Sequence, residues 1–364
     1  MRRIVLLSFA ASTAGLLACS SSAPPSGAAG PAARRTPVLT PQTVDTRSLL
    51  QAVSVVSNEV VWVSGHHGTW ARTEDGGVTW TVGVVPRADS LQFRDVHAAD
   101  ARRAWLMSAG TGPASQIYYT DDGGKNWTQQ FRNGNTKAFY DCMAFWNDKH
   151  GLALSDGVDG IFPLLMTRDG KKWDLLSEAG SPRSQPGEGS FAASGTCIAT
   201  LNEKLAWFGT GAAAGGFARV FRTTDEARTW RSSDTPIVSN ASAGISSVAF
   251  RDAKHGVAMG GDIAKPDTFL VNVAVTADGG VTWDAATSPP FPGAVYGAAY
   301  SSGEGIPSLV AVGPRGAAIS WDDGQSWVLL DTLSYWSVGM GKDGRGWMVG
   351  PGGRIRRLDN PVRP

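Results

Sequence analysis

Thr73-Glu74-Asp75-Gly76-Gly77-Val78-Thr79-Trp80 is one copy of a pattern, Ser/Thr-x-Asp-x-Gly-x-x-Trp, that returns down the chain. Residues 120–127 repeat it with Asp122, Gly124 and Trp127, residues 276–283 with Asp278, Gly280 and Trp283, and residues 320–327 with Asp322, Gly324 and Trp327. Two copies are worn: residues 167–173, with Asp169 and Trp173, are one residue short, and residues 223–230, with Asp225 and Trp230, carry Ala227 in the glycine position. The aspartates at 75, 122, 169, 225, 278 and 322 are therefore 47, 47, 56, 53 and 44 residues apart. A spacing of this order marks a repeat architecture and matches the length of a four-stranded propeller blade.

The pattern makes physical sense as a tight hairpin turn. The aspartate carboxylate accepts backbone N–H groups inside the turn. The glycine supplies a positive φ without a Cβ penalty. The tryptophan opens the outgoing strand with a large apolar surface that wedges between sheets. These eight residues resemble the Asp-box (BNR) repeat of sialidase-like and related propellers. The resemblance implies that the turn face of the ring is structural and that the opposite face binds. It implies no particular chemistry, because one fold hosts many.

Each copy is preceded by two apolar segments joined by a polar turn, the second often ending in glycine, as in Val61-Trp62-Val63-Ser64-Gly65. Six such units precede six turns. A seventh unit, residues 335–358, has three strands and no turn motif, and residues 37–45 are a spare segment able to supply its fourth strand. Residues 37–358 make 322 positions, and 322/7 is 46, in line with the spacing. The expectation is an all-β chain: a single seven-bladed β-propeller of four-stranded antiparallel blades, with the ring closed by an N-terminal strand. Rings of six or eight blades are the alternatives. Of the fourteen tryptophans, six lie in the turns and four (Trp62, Trp105, Trp207, Trp347) in the second strands, so blade packing accounts for ten.

Residues 1–18 read as a secretory signal: a basic start, then an apolar run too short to span a bilayer. Leu16-Leu17-Ala18-Cys19 resembles a bacterial lipobox, which implies cleavage before Cys19 and lipidation there. Residues 19–36 then form a Ser/Pro/Gly/Ala-rich linker, and residues 37–364 the propeller. The expected location is the cell envelope, lipid-anchored to a bacterial membrane on its periplasmic or extracellular side. Cys142 and Cys197 occupy matching sites in adjacent blades, as do Ala52, Asp95, Ser247 and Ser337. Matching sites point the same way around a ring. That arrangement disfavours a disulfide, although an exported protein permits one.

Net charge is +1 and charged residues make up 18% of the chain, so neither nucleic-acid binding nor an electrostatic hold on a membrane is indicated. The face opposite the turns gathers the polar and aromatic residues expected to meet a ligand or partner: His66, His67, Arg87, Arg94, Asp95, Tyr140, Asp141, Arg183, Glu188, Arg315, Tyr335, Trp336 and Arg354. Its longest loops cover residues 178–190 and 260–269. His66-His67 lacks a third ligand in the sequence, so no metal site is expected, and no cofactor fingerprint is present. Residues 211–216 are glycine-rich but sit between strands.

Two functional classes remain. In an exported chain of seven blades, a Trp-rich second strand followed by Thr-x-Asp-Gly-Gly-x-x-Trp, best seen in residues 61–80, is similar to the photosystem II stability/assembly factor type of propeller. That likeness implies a non-catalytic binding or assembly scaffold. The expected partner is a membrane or cell-envelope protein complex, and the protein itself a monomer. The other class is a sialidase-like glycoside hydrolase or a carbohydrate-binding surface protein. Arg94, Arg183, Arg315, Tyr296, Tyr335, Glu188 and Asp95 can be assembled into a sialidase-like set, and Trp70, Tyr335 and Trp336 into sugar-stacking platforms. The sialidase Arg-Ile-Pro motif is missing. The scaffold reading is the preferred one.

Overall fold

The computed structural model describes residues 37–212, 215–301 and 307–359. The signal sequence, Cys19 and the linker lie outside the described residues. Seven four-stranded antiparallel sheets follow one another around an axis. In the first blade the strands run from the axis outward as Leu50–Val55, Val61–Gly65, Thr69–Thr73 and Thr81–Val84. The innermost strands of the next five are Phe93–Ala98, Tyr140–Phe145, Ile198–Leu201, Ala243–Phe250 and Gly297–Tyr300. The seventh blade takes Ser337–Met340, Arg345–Gly350 and Arg354–Asp359 from the end of the chain. Val38–Gln42 completes it, pairing in register from Val38↔Asp359 to Gln42↔Ile355.

Second strands are buried throughout because sheets cover both their faces, and there the apolar run is continuous. Their tryptophans do more than fill space. The indole N–H of Trp62 donates to the Asp100 carbonyl at 3.0 Å, that of Trp105 to Gly170 at 2.9 Å and that of Trp207 to Gly279 at 2.8 Å. Each of these acceptors belongs to a turn of the following blade. In the closing blade, Trp347 donates to Gln42 Oε1 at 3.1 Å, tying the N-terminal strand to the C-terminal ones. A buried indole therefore stitches neighbouring elements while keeping its donor satisfied.

The repeated turns share one hydrogen-bond plan. The Thr73 hydroxyl accepts the Gly77 N–H at 2.8 Å and donates to Asp75, whose Oδ1 accepts the Thr79 N–H at 2.9 Å. The Thr79 hydroxyl, which donates to Asp75 Oδ2, together with the Thr79 N–H and the Thr73 hydroxyl holds the Asp75 carboxyl down to about 2. Asp122, Asp278 and Asp322 accept the same backbone N–H four residues on. The worn turn keeps the plan, with Ala227 taking the glycine's left-handed conformation at φ 63°.

One expectation needs correction. Cys142 and Cys197 are joined in a disulfide, with Cα atoms 6.3 Å apart. Both sit on or just before innermost strands of adjacent blades, where the ring is narrowest, and that proximity outweighs their parallel placement. The first strand of the fourth blade starts at Ile198, and the residues just before it belong to no blade.

Candidate functional site

The first strands of blades one, two, three and five each carry a β-bulge at the same place. The bulged residues are Gln51, Arg94, Asp141 and Ser246. A bulge adds one residue to a strand and re-aims a side chain. All four lie where the innermost strands begin, on the face opposite the repeated turns. Gln51 is fully buried, and neither atom of its carboxamide has a partner among the described residues.

Over this end of the axis runs a segment that belongs to no blade, residues 190–196. Ser190 N–H donates to Asp156 Oδ1 at 2.8 Å, and the Ala192 carbonyl accepts from Arg94 at 3.2 Å. The Ser194 hydroxyl donates to the Tyr296 carbonyl at 2.7 Å, and the Ser194 carbonyl accepts from Ser337 Oγ at 2.9 Å. Thr196 Oγ1 donates to Ser247 Oγ at 2.8 Å. A Cβ on Gly195 would stand 2.6 Å from Asp95 Oδ1, at a φ of +73° that favours glycine anyway. The segment thus touches blades two, three, five, six and seven. It crosses the axis and plugs it. Beneath it, towards the turn face, remains a cavity of about 330 Å³ lined by residues such as His97, Phe145, Phe250 and Tyr300, with Ser194 and Gly195 at its inner end.

The acids at the plug are perturbed. Burial pushes Asp95 up to about 8, against the pull of the Met143 N–H, which its Oδ2 accepts at 2.6 Å. Burial pushes Asp156 up to about 6. Asp141 is raised well above the usual carboxylate range by burial and by the Asp156 charge, with Arg94 opposing. Burial lowers Arg94, and burial with the Arg94 charge and then His67 lowers His66.

The residues expected on this face divide. His67, Arg87, Arg183 and Arg315 are exposed, and His66, Arg94, Trp336 and Arg354 are half-buried. Asp95, Tyr140, Asp141, Glu188 and Tyr335 are buried, so the expectation that they meet a partner directly is corrected. Glu188 forms an ion pair with Arg219 and accepts from Thr210 at 2.7 Å, and the Tyr335 hydroxyl donates to Asp331 at 2.7 Å. Burial raises the Tyr140 phenol to about 12. Trp70 and Tyr335 are too buried to stack on a sugar, and Trp336 packs edge-on against Tyr296 with ring centres 4.9 Å apart. The arginines of the hydrolase set are engaged separately: Arg183 with Glu178 at 3.1 Å, Arg315 with Asp267 at 2.8 Å, and Arg94 with Gln92 and the plug. His66 and His67 join no metal-binding cluster among the described residues.

Asp156 and the plug were not singled out from sequence. One signal existed: the step from Asp169 to Asp225 is 56 residues, nine more than the preceding 47. That excess falls in the chain that reaches the axis. At the outer part of the same face, a groove of about 430 Å³ lies between blades two and three, walled by Phe131, Tyr140, Ile161, Leu165 and Leu176.

No protein-family model and no curated protein matches the chain. Solved structures do. The chain is similar to YCF48 bound to a D1 peptide, at a TM-score of 0.60 and 17% identity, covering 90% of this chain and 97% of that one. It is similar to YCF48 from Cyanidioschyzon merolae at a TM-score of 0.62 and 15% identity, covering 88% of this chain and 98% of that one. The structure of U3-55K matches at 0.58 and 11% identity, covering 90% and 98%. At these identities the likeness is one of fold.

Proposed function

We propose that this chain is a non-catalytic propeller that binds a protein partner on the face opposite its repeated turns. The observation that carries the reading is the likeness to YCF48, whose structure holds a D1 peptide, over 90% of this chain. Two features agree with it. The carboxylates at the plug are buried and committed to it or to Arg219, whereas a glycosidase needs a pair flanking an accessible bond. The accessible groups, Arg87, Arg183, Arg315, His67 and the edge of Trp336, surround the plug as a polar and aromatic rim.

The basic and apolar start that ends at Cys19 supports export and lipid anchoring. The partner is then a membrane or cell-envelope protein complex, and the scaffold acts as a monomer in the envelope. The test is capture from detergent-solubilised membranes with the lipidated protein, beside a variant whose residues 178–187 are replaced by Gly/Ser, leaving Glu188 and the plug intact. A complex held by the native rim and lost with the variant is expected. No captured complex, together with sugar release from a fluorogenic glycoside panel, overturns the reading in favour of a hydrolase.

A further inference from the structure

Twelve large apolar side chains are exposed among the described residues, and their placement is uneven. Seven, all aliphatic, are scattered around the ring. The other five, Phe217, Val238, Ile263, Phe269 and Val271, gather on blades four and five and include the two aromatic rings of the set, 61% and 62% exposed.

Strand pairing puts them there. The third and fourth strands of blade four, Gly216–Thr223 and Arg231–Ser239, run on past the second strand, whose last pair with the third is Gly209↔Val220. In this overhang Phe217 stands opposite Val238, and partners across an antiparallel pair share a face. Ala218 and Ile237 are buried on the other face. The overhang leads into a turn bridged by Asn240 and Ala243, where the Ser242 carbonyl accepts the Ile263 N–H at 2.9 Å. The blade-five loop, residues 263–271, therefore starts beside the overhang of blade four. It is braced just before Phe269: the Thr268 N–H donates to the Lys265 carbonyl at 3.2 Å, and the Thr268 carbonyl accepts the Gly293 N–H at 2.9 Å. Both acids at the loop are held by a base, Asp262 by Lys265 at 3.7 Å and Asp267 by Arg315 at 2.8 Å. Overhang and loop both lie on the face opposite the repeated turns.

We propose that this sector of blades four and five is a bilayer-contacting edge, whose apolar tips enter the surface of a phospholipid membrane. An exposed phenylalanine gains by moving from water into acyl chains. A projecting tip suits a fluid that closes around it, whereas a protein partner must offer a packed surface of matching shape. The paired acids leave no free carboxylate of the loop to repel lipid phosphates. The anchoring proposed above brings a membrane within reach, and the choice of a bilayer as the occupant rests on that reading. The eighteen residues from Cys19 to Thr36 span at most about 60 Å, against a radius of gyration of about 20 Å for a folded chain of this size. With this edge in the bilayer, the rim of blades one and two, Arg87 included, stays open to a membrane-protein partner.

The test supplies the tether artificially, so it reads the sector whether or not Cys19 carries lipid. Residues 20–364, which hold the whole closed ring, carry an N-terminal hexahistidine tag and are bound to protein-free phosphatidylcholine vesicles containing a nickel-chelating lipid. A photo-crosslinking phenylalanine analogue replaces Phe217 or Phe269 and, as controls on the turn face, Val78 or Val281, all four exposed. Each variant's melting temperature is compared with that of the parent; where an analogue at 217 or 269 lowers it, Ile263 and Val271 serve the same comparison. Phospholipid adducts are expected from positions 217 and 269 in about tenfold the yield from 78 and 281. Equal yields from the two pairs, or none from 217 and 269, overturn the proposal. Protein adducts from 217 and 269 in native membranes, with no lipid adducts in the vesicles, assign the sector to a protein partner and overturn it too. Because the vesicles hold no protein, lipid adducts stand even where no complex is captured, and a captured complex stands where no lipid adduct forms.

Discussion

Gly124 shows how closely a turn residue is specified. Its φ is +87°, and a Cβ there would stand 2.4 Å from the Trp70 ring, which is 5% exposed. Left-handed backbone costs an L-residue about 1–2 kcal/mol, and overpacking a fixed ring adds about 1–3 kcal/mol. Gly124→Ala should therefore destabilise the protein by about 2–4 kcal/mol in a denaturant titration. Gly134→Ala, with nothing within 4 Å, should stay within about 0.5 kcal/mol of wild type. Equal midpoints for the two variants would refute the packing argument. At this scale the sequence was most legible where chemistry is local. The aspartate, hydroxyl and glycine of each turn act within a few residues of each other, so the motif states its own hydrogen bonds. The rim residues were less legible. Asp95, Asp141 and Glu188 are charged residues that sequence alone places on a solvated rim, whereas the closeness of the innermost strands to the axis, which depends on the folded ring, buries them.

Among the elements, the innermost strands carry the longest-range information. The Cys142–Cys197 bond joins the third and fourth blades across 55 residues of chain. Replacing either cysteine with serine should cost about 2–4 kcal/mol, and wild type under reducing conditions should fall to the same stability. Unchanged stability on reduction would mean that the two sulfurs do not bond in solution. The pairing was hidden from sequence because matching blade positions look divergent until the small radius at the axis is known. The plug was hidden for a related reason. A long connection between blades predicts a rim loop, and only tertiary contacts with Arg94, Tyr296, Ser337 and Ser247 reveal that its end turns inward. The interblade indole bonds fall between these cases. Burial of Trp62, Trp105, Trp207 and Trp347 is readable from their strands, but their acceptors, on the next blade for the first three and on the closing strand for Trp347, are not.

Over the whole molecule, seven blades and an N-terminal closing strand follow from the period of the turn motif and the count of positions it must fill. The sheet order, with Val38–Gln42 beside Arg354–Asp359, agrees in detail. Which face works does not follow from the period, since a ring repeats on both. The plug, the rim around it and the commitment of the other face to hydrogen-bonded turns support the proposed binding face. That assignment is the central claim, and a photo-crosslinking residue placed on each face tests it most directly. In the lipidated protein in native membranes, a crosslinker at Arg87 or Arg315 samples the face opposite the turns, and one at Lys171 or Val281 samples the turn face, all four positions being exposed. Protein adducts are expected from positions 87 and 315 and none from 171 and 281. Adducts from the turn face alone, or equally from both faces, would contradict it.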